Sequence, residues 1–370
     1  MVAHAALGAS NAHRWLVCAG SVEAERDIPN TTSPFAEEGT RAHDLGELAL
    51  RTSDTALDAF EDQEMADFVR VYTDYVRQNA RDADLLEIEQ RVSYADWIEG
   101  GFGTADAVII KDGVIHVCDL KYGMGVRVHA DLNPQGMLYA LGAYAENRFL
   151  GIEIHTAKIS IVQPRLDHVS EWEISIEDLL RWAEWAKQRA EATQDPDAPR
   201  VAGEKQCRFC RAKASCKALQ EVTEAAVMVE FDDLDNMPKA NTLTDAQMRS
   251  ALDAKPLIES WLSAIEKLAK GRLEDGEDFA GYKLVAGRSN RRWVADENTT
   301  KELVDLLGED DAYTKKLVTP AQAEKLLGKK RASEITDFVV KSEGAPTLAP
   351  EADKRPAINV SPSDFSDCTQ

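Results

Sequence analysis

Asp106, Asp119 and Lys121 are the residues whose types and spacing point most clearly to chemistry in this sequence. They flank two β-prone runs joined by Asp112-Gly113, a dipeptide that favours a two-residue hairpin turn. With these two residues at the centre of the turn, counting outward places Asp106 directly across from Asp119. Asp119 and Lys121 share a face of their strand because side chains alternate along a strand.

Two carboxylates directly opposite each other would lie roughly 5 Å apart and would repel. The arrangement is favourable when a divalent cation lies between them, and hard cations such as Mg²⁺ prefer carboxylate oxygens. A neighbouring lysine then stabilises charge on a phosphate or helps to deprotonate an attacking water. The alternative is that both aspartates merely end strands and that Lys121 is solvated, because a D-x-K pattern alone has low specificity.

His43 and Glu47 lie at positions i and i+4 of a segment rich in Ala, Leu and Glu, so they share one face of a predicted helix. Imidazole is a good ligand for Mn²⁺ and related metals, and Glu47 is positioned to orient it. The alternative is a surface histidine beside a helical ion pair.

Asn133-Pro134 predicts the start of a helix, with Asn as the N-cap and Pro as the first helical residue. Gln135 then falls in the first turn, and Tyr139 lies one turn later on the same side. Their amide and phenol groups suit contact with a DNA phosphate or a catalytic carboxylate. The alternative is a capping-turn residue and a half-buried aromatic.

Three of the six cysteines, Cys207, Cys210 and Cys216, form a C-x2-C-x5-C pattern. Short fixed spacings of thiols indicate metal binding in a reducing compartment. A tetrahedral or cubane site needs a fourth thiolate, and Cys18 is the best candidate, because Cys118 fits a buried strand and Cys368 lies almost at the end of the chain. All-thiolate ligation suits a [4Fe–4S] cluster or Zn²⁺, and spacing does not decide between them.

These motifs, in their order, resemble the PD-(D/E)XK nuclease superfamily, specifically its RecB-like branch with an iron–sulfur cluster. The resemblance rests on G-T-x-x-H (Gly39 to His43), G-x-A-D (Gly103 to Asp106), D-L-K (Asp119 to Lys121) and Q-x-x-x-Y (Gln135 to Tyr139). It departs from the strict form at Ala105, which stands in place of the proline. The C-terminal half also resembles a phage-borne family of unknown function grouped with these nucleases.

The resemblance implies a role for each matching residue. His43, Asp106 and Asp119 would bind Mg²⁺ or Mn²⁺, with the backbone carbonyl of Leu120 as a further ligand. Lys121 would be catalytic, and Gln135 and Tyr139 would support the active site and DNA binding. The early cysteine and the late trio would hold a [4Fe–4S] cluster that joins the two ends of the nuclease domain.

The elements that must position these residues suggest an α/β (α+β) fold, a restriction-endonuclease-like mixed central sheet flanked by helices. We expect a nuclease domain over residues 1–220, a smaller, mainly helical accessory module over 221–343 and a Pro-rich tail over 344–370. Helices are expected around 61–80, 176–191, 245–273, 299–307 and 320–327. No segment is long and apolar enough to cross a bilayer, and the first residues do not match a signal peptide, so we expect a cytoplasmic protein.

The charge balance opposes DNA binding over most of the surface, because 65 acidic residues outnumber 43 basic ones and give a net charge of −22. DNA contact must therefore be local. Arg208, Arg211 and Lys213 surround the cysteine trio, where they either balance an anionic cluster or form a phosphate track. Arg291 and Arg292 beside Trp293 are suited to binding single-stranded DNA. The alternative is that they lie on a solvated hairpin tip.

The sequence thus predicts a metal-dependent DNA nuclease, an exonuclease of phage recombination or replication. The acidity suggests that a recombinase, a single-strand annealing protein or a helicase delivers the DNA end. Two alternatives are a nuclease-fold protein that binds DNA or partners without cutting and a zinc-stabilised scaffold. The intact D-x-K pattern and histidine disfavour the first, because a retired site has no reason to keep all its ligands.

Overall fold

A five-stranded mixed sheet carries the predicted chemistry. The computed structural model describes residues 6–30, 33–149, 151–228, 244–277 and 281–283, all within the compact unit Met1–Val285. The strands are β1 (Leu85–Ser93), β2 (Phe102–Lys111), β3 (Val114–Leu120), β4 (Thr156–Gln163) and β5 (His168–Ser175). The α-helices are α1 (Ala12–Trp15), α2 (Ser21–Glu25), α3 (Pro34–Arg51), α4 (Thr55–Asp58), α5 (Gln63–Asn79), α6 (Pro134–Asn147), α7 (Ile176–Ala192), α8 (Glu204–Cys207), α9 (Lys217–Met228) and α10 (Asp245–Glu274).

The strands follow one another across the sheet in chain order, and only β3 and β4 pair in parallel. A parallel pair needs a crossover connection, and helix α6 lies in the segment that joins β3 to β4. The fold class predicted from the sequence, a mixed sheet flanked by helices, is confirmed for the described residues. The predicted helical C-terminal module lies mostly beyond them.

The hairpin of β2 and β3 has the predicted register. Lys111 pairs with Val114, and the ladder continues to the pair of Ala107 and Cys118. Asp112 and Gly113 both have positive φ angles, 50° and 73°, as a type I′ turn requires. The register that faces the two aspartates toward each other is therefore fixed by the turn.

Both faces of this hairpin are buried. The face of Val108 and Val117 packs in a core that includes residues of α6 and α7. The opposite face, with Ala107 and Ile109, packs in a second core that includes Tyr72 and other residues of α5. Polar side chains at the end of such strands lie between two apolar layers, where an unpaired charge is costly.

Several sequence predictions fall at or beyond the edge of the described region. The predicted helices at 299–307 and 320–327, the tail and residues Arg291 and Arg292 lie outside it. The predicted domain boundary at residue 220 falls within α9. Within the described ranges, none of the helices has the length and apolar character needed to cross a bilayer.

Candidate active site

Helix α3 brings His43 to the sheet. The helix begins with Pro34 after the N-cap Ser33, whose hydroxyl accepts a hydrogen bond from the Ala36 amide. His43 Nδ1 lies 3.3 Å from Asp106 Oδ1. Burial lowers the pKa of His43, but the charge and hydrogen bonding of Asp106, together with the charge of Asp119, outweigh it, and the pKa rises to about 9.

Asp106 is fixed between α3 and β3. One of its oxygens faces His43, and the other accepts a 2.7 Å hydrogen bond from the backbone amide of Leu120. Both Asp106 and Asp119 are buried. The predicted use of the Leu120 carbonyl as a metal ligand stays a prediction, while its amide has the separate task of holding Asp106.

A hydrogen-bonded group formed by Asp119, Lys121, Gln135 and Tyr139 lies at the end of β3. Lys121 Nζ lies 2.8 Å from Asp119 Oδ2 and donates a 3.0 Å hydrogen bond to Gln135 Oε1. Gln135 Nε2 donates to Asp119 Oδ1 at 3.1 Å and to the Tyr139 hydroxyl at 3.2 Å. Gln135 thus contacts all three of the other side chains.

The first turn of α6 positions Gln135 in the way the sequence predicted. Asn133 caps the helix by accepting a 3.1 Å hydrogen bond from the Gly136 amide, and Pro134 is the first helical residue. Tyr139 follows one turn later, and its ring lies against Gly103, where a side chain would clash with it. The first turns of α6 therefore place both Gln135 and Tyr139 at the site, and Tyr139 contacts the Gly103 to Asp106 motif of β2.

Burial and like charges determine the electrostatics of the site. Burial raises the pKa of Asp119, and the nearby Asp106 carboxylate raises it further, against the lowering effect of Lys121. Burial lowers the pKa of Lys121, but Asp119 and Asp106 outweigh burial and leave it raised. Lys121 is therefore held as an ammonium ion at neutral pH.

Glu89 is a site residue that the sequence reasoning missed. Among the described residues, His43, Glu89 and Asp106 are the one group of three whose possible ligand atoms all lie within 4.8 Å of one another. Burial, followed by the charge of Asp106, raises the pKa of Glu89 to about 7. An acidic residue in a strand was the available signal, but the long connection between β1 and β2 leaves their register unspecified by sequence.

Glu47 contacts Arg51 rather than His43, so its predicted role in orienting the imidazole stays a prediction. Its carboxylate accepts a 2.7 Å hydrogen bond from Arg51, one turn further along α3. His43 is contacted by Asp106 instead. The i, i+4 spacing that suggested a contact with His43 applies equally to Arg51, and opposite charges favour that pair.

The structure places the four predicted cysteine ligands in one region, but no three of their sulfur atoms lie within 4.8 Å of one another. Cys18 Sγ accepts a hydrogen bond from the Val201 amide at 3.2 Å, just before the cysteine trio. Burial raises the pKa of the Cys207 thiol, and the nearby Cys216 and Cys18 raise it further. Burial and Glu25 raise the pKa of Cys210 to about 11, with Cys207 adding to the effect. Cys118 is buried in β3, as expected.

A buried ion cluster fastens the N-terminal helices to this cysteine region. Arg14 lies 3.0 Å from Glu25 and donates a 2.7 Å hydrogen bond to the Phe209 carbonyl. Glu25 also accepts a 2.6 Å hydrogen bond from the Arg211 backbone amide. The first helices and the cysteine region are therefore joined by protein contacts.

The residues predicted to bind DNA near the cysteines differ in their availability. Arg211 donates to backbone carbonyls of Glu25 and Ile28, and Lys213 donates to the Arg208 carbonyl and the Ser260 hydroxyl. Arg208 instead lies over the ring of Phe209, which is 68% exposed. DNA binding by these residues stays a prediction, and Arg208 is the most available of the three.

Comparison with known proteins gives two findings. A family model described as "Protein of unknown function (DUF2800)" matches residues 4–356. A solved structure titled "Crystal structure of SSO0001" is similar at 13% sequence identity, with 54% of this chain and 95% of that chain covered and a TM-score of 0.23. A similarity of that size bears on neither the activity nor the ligands of this chain.

Proposed function

The chain belongs to the DUF2800 family, whose description assigns no function, and we propose from its site that it is a divalent-metal-dependent DNA nuclease. The observation that carries the proposal is the convergence of His43, Asp106, Asp119 and Lys121 from one helix and two strands. An imidazole, two buried carboxylates and an ammonium ion are the groups that phosphodiester hydrolysis needs in one place.

The residues present fit a divalent cation. Two carboxylates and an imidazole are donors that Mg²⁺ and Mn²⁺ accept, and buried carboxylates that face one another are unfavourable without a positive charge. His43 and Asp106 would hold the cation, with Asp119 and the Leu120 carbonyl beside it. When bound, the cation supplies a polarised phosphate and a more acidic water.

The chain's own side chains supply the remaining functions. Lys121, held as an ammonium ion by Asp119, contributes positive charge to the phosphate oxygens. Gln135 orients both Asp119 and Lys121, and Tyr139 holds the amide of Gln135 in turn. Each acting group is therefore fixed by a second one before any substrate binds, which limits reorganisation during the reaction.

We propose a structural role for the four cysteines, as the ligands of a [4Fe–4S] cluster. The effects of Cys216 and Cys18 on the pKa of Cys207 indicate that these thiols lie near one another, and the resemblance to iron–sulfur nucleases favours iron–sulfur over Zn²⁺. The cluster would close a loop of about 190 residues, so its loss should destabilise the whole domain. Arg14 and Arg211 beside it offset the negative charge of four thiolates.

DNA would reach the site by local contacts, because the chain is strongly acidic. Arg208 and the exposed Phe209 offer a cation and an aromatic surface for a single-stranded end. We propose an exonuclease of phage recombination or replication, active in the host cytoplasm, to which a recombinase, annealing protein or helicase delivers the DNA.

The test is cleavage of end-labelled linear DNA and closed circular DNA in Mg²⁺ or Mn²⁺. Wild-type protein is compared with Asp119→Asn and with Glu173→Gln, which removes an exposed carboxylate from β5. We expect degradation of linear DNA only, lost in Asp119→Asn and retained in Glu173→Gln. Equal activity in all three proteins, or DNA binding without cleavage by the wild type, would overturn the proposal.

The cluster is tested separately by anaerobic purification, visible absorbance and analysis for iron and zinc. Cys18→Ser should lose iron, whereas Cys118→Ala should retain it, because Cys118 lies in β3 outside the cysteine region. Stoichiometric zinc without iron or sulfide in the anaerobic wild type would favour a zinc site.

A further inference from the structure

Three carboxylates lie in one row across three neighbouring strands. The ladder pairs on either side place Glu89 of β1 opposite Asp106 of β2. Extended by one position beyond the last pair, Ala107 and Cys118, the hairpin register places Asp106 opposite Asp119 of β3. Like charges directly opposite each other destabilise a sheet, so a row of three needs compensating positive charge. Lys121 supplies it for Asp119.

Glu89 interrupts the ladder at this row. The pairs of Ile88 and of Gln90 with β2 are formed, whereas Glu89 has a φ of 47°, in the left-handed region that glutamate rarely adopts. A left-handed residue departs from the alternation of side chains along the strand. A carboxylate oxygen of Glu89 lies within 4.8 Å of ligand atoms of His43 and Asp106. The side chain of Glu87 instead interacts with Asn147 and Glu146 of α6.

Asp119 is held mainly through one of its two oxygens. Oδ1 accepts hydrogen bonds from Lys121 and Gln135, whereas Oδ2 is buried without a hydrogen-bond partner among the described residues and lies 2.8 Å from the Lys121 ammonium. One oxygen of Asp106 faces His43, and the Glu89 carboxylate lies within 4.8 Å of both. Ligand atoms of His43, Glu89 and Asp106 thus lie within 4.8 Å of one another, and Asp119 lies near them while it pairs with Lys121.

We propose that Glu89 is a ligand of the divalent cation, the third side-chain ligand beside His43 and Asp106. The inference rests on the proposed metal site and changes its composition. Glu89 takes the ligand position on the β1 side, and Asp119, beside the cation, also holds Lys121. The left-handed backbone at Glu89 directs its carboxylate away from the alternating side-chain pattern of β1 and toward His43 and Asp106.

The direct test is Mn²⁺ binding by the purified full-length chain, measured by calorimetry and by electron paramagnetic resonance of free Mn²⁺. Glu89→Gln should weaken binding at least tenfold, as His43→Ala should. Glu87→Gln is the matched control, because it removes a carboxylate of the same kind two residues away on the same strand. The Mn²⁺ affinity of this variant should match that of the wild type. Unchanged Mn²⁺ affinity in Glu89→Gln would overturn the proposal.

Thermal unfolding without metal distinguishes a ligand from a structural residue. Gln keeps the size of Glu and removes a negative charge next to Asp106, so a ligand role predicts an unchanged or higher Tm without metal and a smaller rise in Tm on adding Mn²⁺. A lower Tm without metal and a wild-type rise with Mn²⁺ would indicate a structural role and overturn the proposal. Glu89→Asn, which suits a left-handed backbone, is the second variant if Glu89→Gln does not fold.

The result separates this inference from the proposed function. Wild-type protein that binds Mn²⁺ through Glu89 and cleaves no DNA would refute the nuclease and support the ligand. Wild-type protein that cleaves DNA, with Glu89→Gln binding Mn²⁺ normally, would support the nuclease and refute the ligand. A wild type that binds no Mn²⁺ would refute both.

Discussion

Removal of the Glu25 carboxylate should destabilise the domain through the buried Arg14. The side chains of Glu25 and Arg14 are only 6% and 9% exposed, and they form a 3.0 Å ion pair. The variant Glu25→Ala leaves Arg14 buried with the Phe209 carbonyl as its remaining acceptor among the described residues, and it also removes the acceptor of the Arg211 amide. The predicted effect is therefore a loss of stability rather than a local change at the surface.

The size of the stability loss in Glu25→Ala depends on the contacts that Arg14 keeps. Leaving one member of a buried ion pair unpaired costs about 3–5 kcal/mol, and the hydrogen bond from Arg14 to Phe209 places the cost near the lower limit, about 3 kcal/mol. With a urea dependence of about 3 kcal/mol per molar, the upper end of the range for small proteins, the unfolding midpoint should fall by about 1 M. The measurement is urea unfolding followed by circular dichroism.

Glu23→Gln is the control for this measurement. Glu23 pairs with Arg26 on the same short helix, and the Arg26 side chain is exposed, so its loss should cost less than about 1 kcal/mol. A Glu25→Ala midpoint within the error of the Glu23→Gln midpoint would refute the reasoning. It would mean that Arg14 reaches water or another partner when Glu25 is absent.

Two further predictions concern pH and catalysis. Burial lowers the pKa of His116 to about 4 from its usual 6.5, so the unfolded chain binds a proton that the folded chain does not between these values, and stability falls as pH drops from about 6.5 to 4 by up to about 3 kcal/mol. The difference in unfolding free energy between wild type and His116→Gln, measured across this range, should show that slope, and a constant difference would contradict it. Gln135→Leu removes the hydrogen bonds that orient Asp119 and Lys121, so single-turnover DNA cleavage should slow by about tenfold to a hundredfold with little change in Tm. A decrease below twofold would show that those side chains hold their positions without it.

The parts of the site that local rules determine were predictable from the sequence. A two-residue turn at Asp112-Gly113 has one compatible register, so the facing of Asp106 and Asp119 followed from counting. Asn133-Pro134 determined where α6 starts, and hence where Gln135 and Tyr139 lie. The apolar character of both hairpin faces likewise predicted strands buried on both sides.

The parts that depend on contacts distant in the sequence were not predictable in this way. Glu89 joins the site through a long-range strand pairing and a left-handed backbone, and neither leaves a local pattern in the sequence. The choice of Glu47 between His43 and Arg51 depends on side-chain geometry rather than spacing. The charge of Arg211 predicted either balance of an anionic cluster or contact with DNA, and its hydrogen bonds to Glu25 and Ile28 appear only in the folded chain.

The ion cluster of Arg14 and Glu25 has a consequence for the order of events during synthesis. Glu25 accepts a hydrogen bond from the backbone amide of Arg211, 186 residues later in the chain. At translation rates of roughly 5–20 residues per second, the first helices wait roughly 10–40 s before that partner is made. A ribosome-bound chain that stops short of Arg211 should therefore expose both charged residues, and its N-terminus should be open to proteases until the cysteine region emerges.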